Sequence, residues 1–109
     1  MSLDWYLHKV VAEEREVFWR NITHNLGRMA NEAGIYQCLW RPDEVGITHA
    51  VQCIKPLEEG LAKLKADPEH FRMFNAKNGW GAYEGLVSFV EEALEACRRD
   101  PDAKVSASR

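Results

Sequence analysis

A run of polar residues in the first third of the chain has the residue types and spacing that can bind an anion. Asn21, Asn25, Arg28 and Glu32 recur at i, i+4, i+7 and i+11, which would place them on one flank of a helix. An arginine fork and asparagine amides can hold a carboxylate or a phosphate. Alternatively, these side chains satisfy backbone groups of a neighbouring loop, as most side-chain hydrogen bonds do. His24, in the same run, can act as an acid or a base near neutral pH.

A glycine-rich stretch at residues 78–85 is a second candidate, because such an entry to a helix can expose backbone N–H groups to an anion. Its spacing matches neither the dinucleotide-binding fingerprint nor the P-loop, so the alternative is a tight turn that permits close packing. If this stretch and the polar run border one concave pocket, together they form a small-ligand site. The predicted residues of that site are Asn21, His24, Asn25, Arg28, Asn78, Trp80 and Tyr83.

Other catalytic or metal-binding patterns are absent from the sequence. No histidine, cysteine or acid stands at a metal-binding helical spacing from His24, and we predict neither a metal site nor a cofactor. Ser88 lacks the glycines of a nucleophile elbow. The cysteines, at positions 38, 53 and 97, are odd in number and lack CxxC spacing. They are therefore predicted to be small buried hydrophobic residues in a reducing cytoplasm.

Length and charge limit the class of protein. The 109 residues fit a single globular domain that covers residues 1–109. The net charge of -3 and the scattered basic residues argue against nucleic acid as a partner. No run approaches the ~20 apolar residues of a membrane span, so we expect a cytoplasmic protein that does not interact with a membrane.

The elements that must position these residues are predicted to be mainly α-helical, with four or five helices. Residues 16–33 carry the apolar period of one helix, and Gly34 would end it. Its predicted core positions are Phe18, Ile22, Leu26, Met29 and Ala33. Residues 35–40 would form one or two further helical turns before Pro42.

The second half of the chain predicts three more helical segments. Thr48 would cap a helix in which Pro56 either causes a kink or begins a second helix. Asp67 is placed to cap a short helix, and residues 83–97 form the most regular helical pattern. Residues 3–11 favour a short strand, although a helix competes there. If residues 103–108 are also extended, the two termini would pair as a small two-stranded antiparallel sheet.

Several motifs point to a family. They are N-I-T-H-N-L at residues 21–26, L-W-R-P at residues 39–42 and N-G-W-G-x-Y-E-G at residues 78–85. As a set they resemble an uncharacterised family of small bacterial and bacteriophage proteins, over most of the chain from Asn21 onward. The resemblance implies an origin in phage or other mobile elements and carries over no catalytic role. It points to Asn21, Thr23, Asn25, Trp80 and Tyr83.

Two functions are consistent with these observations. A small acidic helical domain with no catalytic motif set favours a non-enzymatic protein-interaction or accessory module, which contacts a protein partner or a second copy of itself. Exposed aromatic residues would mark its interface. The alternative is a small-ligand-binding domain or an enzyme at the predicted polar site, with His24 as acid or base. RNA binding by aromatic stacking is disfavoured by the negative charge.

Overall fold

The computed structural model describes residues 1–10 and 14–109 and has an α+β fold. Three strands, β1 (Ser2–Val10), β2 (Glu14–Thr23) and β3 (Lys104–Ser108), form an antiparallel sheet in the order β2-β1-β3. The helices in the described ranges are α1 (Gly27–Glu32), α2 (Tyr36–Trp40), α3 (Val51–Ala66), α4 (Pro68–Arg72) and α5 (Tyr83–Arg99). The prediction of a mainly α-helical fold with a two-stranded sheet is therefore wrong.

The first strand occupies the centre of the sheet. Trp5 of β1 lies opposite Arg20 of β2 on one side and Ala107 of β3 on the other. The predicted pairing of the terminal segments is thus present, but as one half of a three-stranded sheet. The preference for a strand over residues 3–11 is confirmed as far as Val10, and Val11 lies outside the described residues.

The largest error concerns residues 16–33, which were predicted to form one helix. The chain instead continues as β2 to Thr23, passes through a 3-10 turn (His24–Leu26) and becomes α-helical only in α1. Aromatic and β-branched residues such as Phe18 and Ile22 favour a pleated strand. A step of four residues also keeps Phe18 and Ile22 on one face of a strand, because four is twice the strand period.

The helices pack against the inner face of this sheet. The Trp5 ring of β1 is fully buried, and its centroid lies 6.5 Å from that of Phe89 on α5. The guanidinium of Arg20 on β2 lies 5.7 Å from the same Phe89 ring. β2 and the central strand β1 therefore both contact α5 through the ring of Phe89.

The helices of the second half follow the predictions more closely. Asp67 caps α4 by accepting the His70 N–H, and α5 covers the predicted residues. The chain of α3 continues through Pro56, so no second helix begins there. Thr48 does not cap α3, because the helix begins at Val51, and the Thr48 N–H donates to the side chain of Gln52. Across the described residues, every helix is too short or too polar to cross a membrane.

Candidate functional site

The polar run is distributed over three elements rather than along one helix. Asn21 lies on β2, where its Nδ2 donates to Asp4 Oδ1 at 2.8 Å. His24 and Asn25 lie in the 3-10 turn, and Arg28 lies on α1. The predicted helical flank is therefore wrong, because the backbone at Asn21 is extended.

The turn with the sequence NGWG (residues 78–81, the NGWG turn) is attached directly to this run. Asn25 Nδ2 donates to the Trp80 carbonyl at 2.7 Å, and the Trp80 N–H donates to Asn78 Oδ1 at 3.0 Å. Gly81 adopts φ +127°, and a Cβ there would lie only 3.2 Å from the Cβ of Asn25. The dihedral angle favours glycine at this position, and the close approach leaves little room for a Cβ. The two polar segments, far apart in sequence, are thus neighbours in space.

His24 faces an open cleft of about 490 Å³, the first cleft, which is also lined by Arg28, Tyr36 and Phe74. Trp40 Nε1 donates to His24 Nδ1 at 2.8 Å, so the neutral imidazole carries its hydrogen on Nε2. The Tyr36 ring stacks on Trp40 with a centroid separation of 5.3 Å. The indole therefore fixes the tautomer of His24 and supports the wall of the cleft.

Two further clefts continue from the first. The middle cleft, of about 530 Å³, shares Arg28 and Phe74 with the first cleft. The end cleft, of about 430 Å³, shares Asn25 and Asn78 with the middle cleft and is bordered by Trp80. We call the three together the junction groove. It runs from α1 across the NGWG turn to the start of the sheet.

Tyr83 is the one predicted site residue that does not line the junction groove. Its ring is buried, and its hydroxyl donates to the Leu64 carbonyl at 2.6 Å. Its N–H donates to Asn75 Oδ1 at 2.8 Å. These contacts anchor the start of α5 to α3 and to the loop before the NGWG turn.

Several lining residues were not among the predicted site residues, and Tyr36, Phe74 and Lys77 are the ones that add an aromatic ring or a charge. None of the three residues belongs to a motif of the sequence, and Lys77 is one of its scattered basic residues. Their positions just before or after a glycine- or asparagine-rich turn were the only signal available. That signal does not say which distant segment they face.

Metal-binding and thiol chemistry are limited in the part of the chain that the structure covers. Among residues 1–10 and 14–109, no group of three or more His, Cys, Asp or Glu side chains is arranged to hold a metal ion. Cys38, Cys53 and Cys97 are free thiols and are buried, so the prediction of buried cysteines is confirmed.

No family model, curated protein or solved structure matches this chain. The resemblance to bacterial and bacteriophage proteins therefore stays a prediction.

Proposed function

We propose that this protein is a non-enzymatic binding module that holds an extended segment of a partner protein in the junction groove. The observation that carries the proposal is the adjacency of the three clefts, which share Arg28 and Phe74 at one boundary and Asn25 and Asn78 at the other. A row of adjoining open clefts suits an extended peptide, whereas small molecules are usually enclosed in one concave pocket.

Trp80 supplies the main apolar contact in this proposal. Its side chain is 73% exposed, although its backbone is fixed by hydrogen bonds to Asn25 and Asn78. A large aromatic side chain held in solvent on a rigid turn loses little conformational entropy on binding. Tryptophan is also enriched among the residues that dominate binding energy at interfaces. Met73, 75% exposed, lines the middle cleft and adds apolar surface beside it.

A random-peptide library displayed on phage, panned against the purified protein, tests the proposal. Selected peptides should bind the wild-type protein in calorimetry, and Trp80→Ala should weaken that binding by about tenfold or more. Trp19→Ala is the matched control, because Trp19 is also exposed (51%) but lines none of the three clefts. Failure to enrich any peptide, or equal binding by the Trp80 variant, would contradict the proposal.

A small-ligand site is the second candidate, and the first cleft favours it. Its volume of about 490 Å³ falls within the usual range for ligand pockets, and His24 Nε2 is the ring atom left available there. Native mass spectrometry of the freshly purified protein, compared with its denatured mass, separates the two candidates. A bound compound that is lost in His24→Ala would favour the small-ligand site, and a substrate converted by the protein would replace the binding-module proposal.

A further inference from the structure

The middle cleft has a charge opposite to that of the whole chain. Its lining includes the cations Arg28 and Lys77 and three asparagines, and it contains no aspartate or glutamate. The protein as a whole has a net charge of -3. A local positive cleft in an acidic protein attracts anionic groups specifically to that place.

Asn25 already donates its Nδ2 to the Trp80 carbonyl, but the other two asparagines of this cleft keep a free amide donor. Asn75 Oδ1 accepts the Tyr83 N–H at 2.8 Å, and Asn78 Oδ1 accepts the Trp80 N–H at 3.0 Å. A backbone N–H can only donate, so these two bonds fix which end of each amide is the oxygen. The Nδ2 groups of Asn75 and Asn78 therefore remain to donate to a ligand.

The cations of the cleft are also available to bind an anionic ligand. Arg28 lies with its Cζ 6.0 Å from the centroid of Phe74, and neither Arg28 nor Lys77 forms an ion pair within the described part of the chain. Arg72, by contrast, is paired with both Glu69 and Glu84. A guanidinium packed on an aromatic ring keeps its hydrogen-bonding edge free for a carboxylate.

We propose that the segment bound in the junction groove is acidic and places an aspartate or glutamate carboxylate in the middle cleft. Arg28 and Lys77 neutralise the carboxylate, and the asparagine Nδ2 groups donate to its oxygens. An apolar residue of the same segment packs against Phe74 or Trp80. This inference rests on the proposed function and adds the chemical class of the partner segment.

The composition of the selected peptides is the first test. The inference expects that peptides enriched on the wild-type protein contain aspartate or glutamate beside an apolar residue. Replacing the acid of a selected peptide by its amide should weaken binding about tenfold, and added salt should weaken the acidic peptide more than the amide version.

Variants of the protein give the second test. Arg28→Gln should weaken binding of the acidic peptide about tenfold, and Lys77→Gln should weaken it by a smaller factor. Lys55→Gln is the matched control, because Lys55 is exposed on α3 and lines none of the three clefts. A circular dichroism spectrum and a urea midpoint equal to those of the wild type would show that each variant is folded.

The outcomes separate this inference from the proposed function. Neutral or basic peptides that depend on Trp80 but bind Arg28→Gln as well as the wild type would overturn the inference and leave the binding module intact. The absence of any enriched peptide would overturn both. Acidic peptides that lose affinity in Arg28→Gln and keep it in Lys55→Gln would support both.

Discussion

Two asparagines, Asn25 and Asn78, hold the backbone of Trp80 in place. Its N–H donates to Asn78 Oδ1 and its carbonyl accepts from Asn25 Nδ2, so the backbone of the turn is held without help from the indole. The side chain itself contributes little to the fold, because most of its surface stays in water. The backbone of the turn is therefore stabilised independently of the indole, which is left free for the binding that we propose.

We expect Asn25→Ala to lower the free energy of unfolding by about 1 kcal/mol, because the variant loses the donor to the Trp80 carbonyl. Urea denaturation followed by circular dichroism measures this change. Asn31→Ala is the control at an exposed position of α1 and should change stability by less than about 0.5 kcal/mol. Equal effects of the two substitutions would show that the Asn25 bond does not hold the turn.

Gly81→Ala should be more destabilising than Gly79→Ala, although both glycines have positive φ angles. At Gly81 the added Cβ would lie 3.2 Å from Asn25 and 3.3 Å from Thr23, whereas nothing lies within 4 Å at Gly79. We expect a loss of about 1–2 kcal/mol at Gly79 from the left-handed backbone alone, and a larger loss at Gly81. Thermal unfolding of both variants checks the order, and a reversed order would contradict the close approach.

At the scale of elements, the difference between β2 and α5 shows what the apolar pattern can predict. The core positions of α5 include Tyr83, Leu86 and Val90, and an odd step such as that from Tyr83 to Leu86 puts two side chains on opposite faces of a strand. The pattern over residues 16–33 begins with two steps of four, which fit a strand and a helix equally well. Its only odd step, from Leu26 to Met29, coincides with the part that is helical.

The candidate site was predictable only in part, because a sequence pattern describes local segments and not how they pack together. Local polarity identified His24, Asn25 and Arg28, and the turn residues identified Asn78 and Trp80. The sequence could state only that these two segments form a site if they are neighbours. Whether they are neighbours depends on how β2, α1 and α5 pack. The contributions of Tyr36, Phe74 and Lys77 depend on the same packing and could not be read from the sequence around each residue.

The ion pair between Arg72 of α4 and Glu84 of α5 should make the stability of the fold depend on pH. Arg72 Nε and Nη2 donate to Glu84 Oε2 at 3.1 and 3.0 Å. The backbone N–H of Glu84 itself and then the Arg72 guanidinium hold the pKa of this carboxyl below its ordinary value. A lowered pKa stabilises the folded state above the unfolded pKa, about 4.3, and this stability is lost as the pH falls through the folded value.

We therefore expect Glu84→Gln to be less stable than the wild type at pH 7 and to approach it in stability as the pH falls below 4. Urea unfolding at a series of pH values measures the difference. Glu95→Gln, at an exposed position of the same helix and without an ion pair among the described residues, is the control for the loss of a surface carboxylate. A difference for Glu84→Gln that stays constant with pH would assign the effect to something other than the charge.

At the scale of the whole molecule, three of the helices each contribute one free thiol to the core. Cys38, Cys53 and Cys97 come from α2, α3 and α5, and all are buried. The adjacent Cys53 thiol, and then burial, raise the pKa of Cys97. A raised pKa means that the neutral thiol stabilises the fold below the ordinary thiol pKa of about 8.5, and that this stability is lost as the pH rises above it.

The wild-type protein should therefore lose stability between pH 8.5 and 10 more steeply than Cys97→Ala, in which this titration is absent. Chemical unfolding in the presence of a reductant at each pH measures the two slopes. Iodoacetamide provides an independent check, because Cys97 should react slowly in the native protein and rapidly in urea. Equal slopes for the two proteins would contradict the assignment of this loss of stability to Cys97.

The central position of β1 has a consequence for synthesis on the ribosome. β1 has hydrogen-bonding edges on both sides, and the partner for one of them, β3, follows α5 in the chain. Until residues 104–108 emerge, the inner strand presents an open edge that another nascent chain can pair with. A chain halted before β3 would therefore keep this edge open, whereas a chain that has reached β3 covers it.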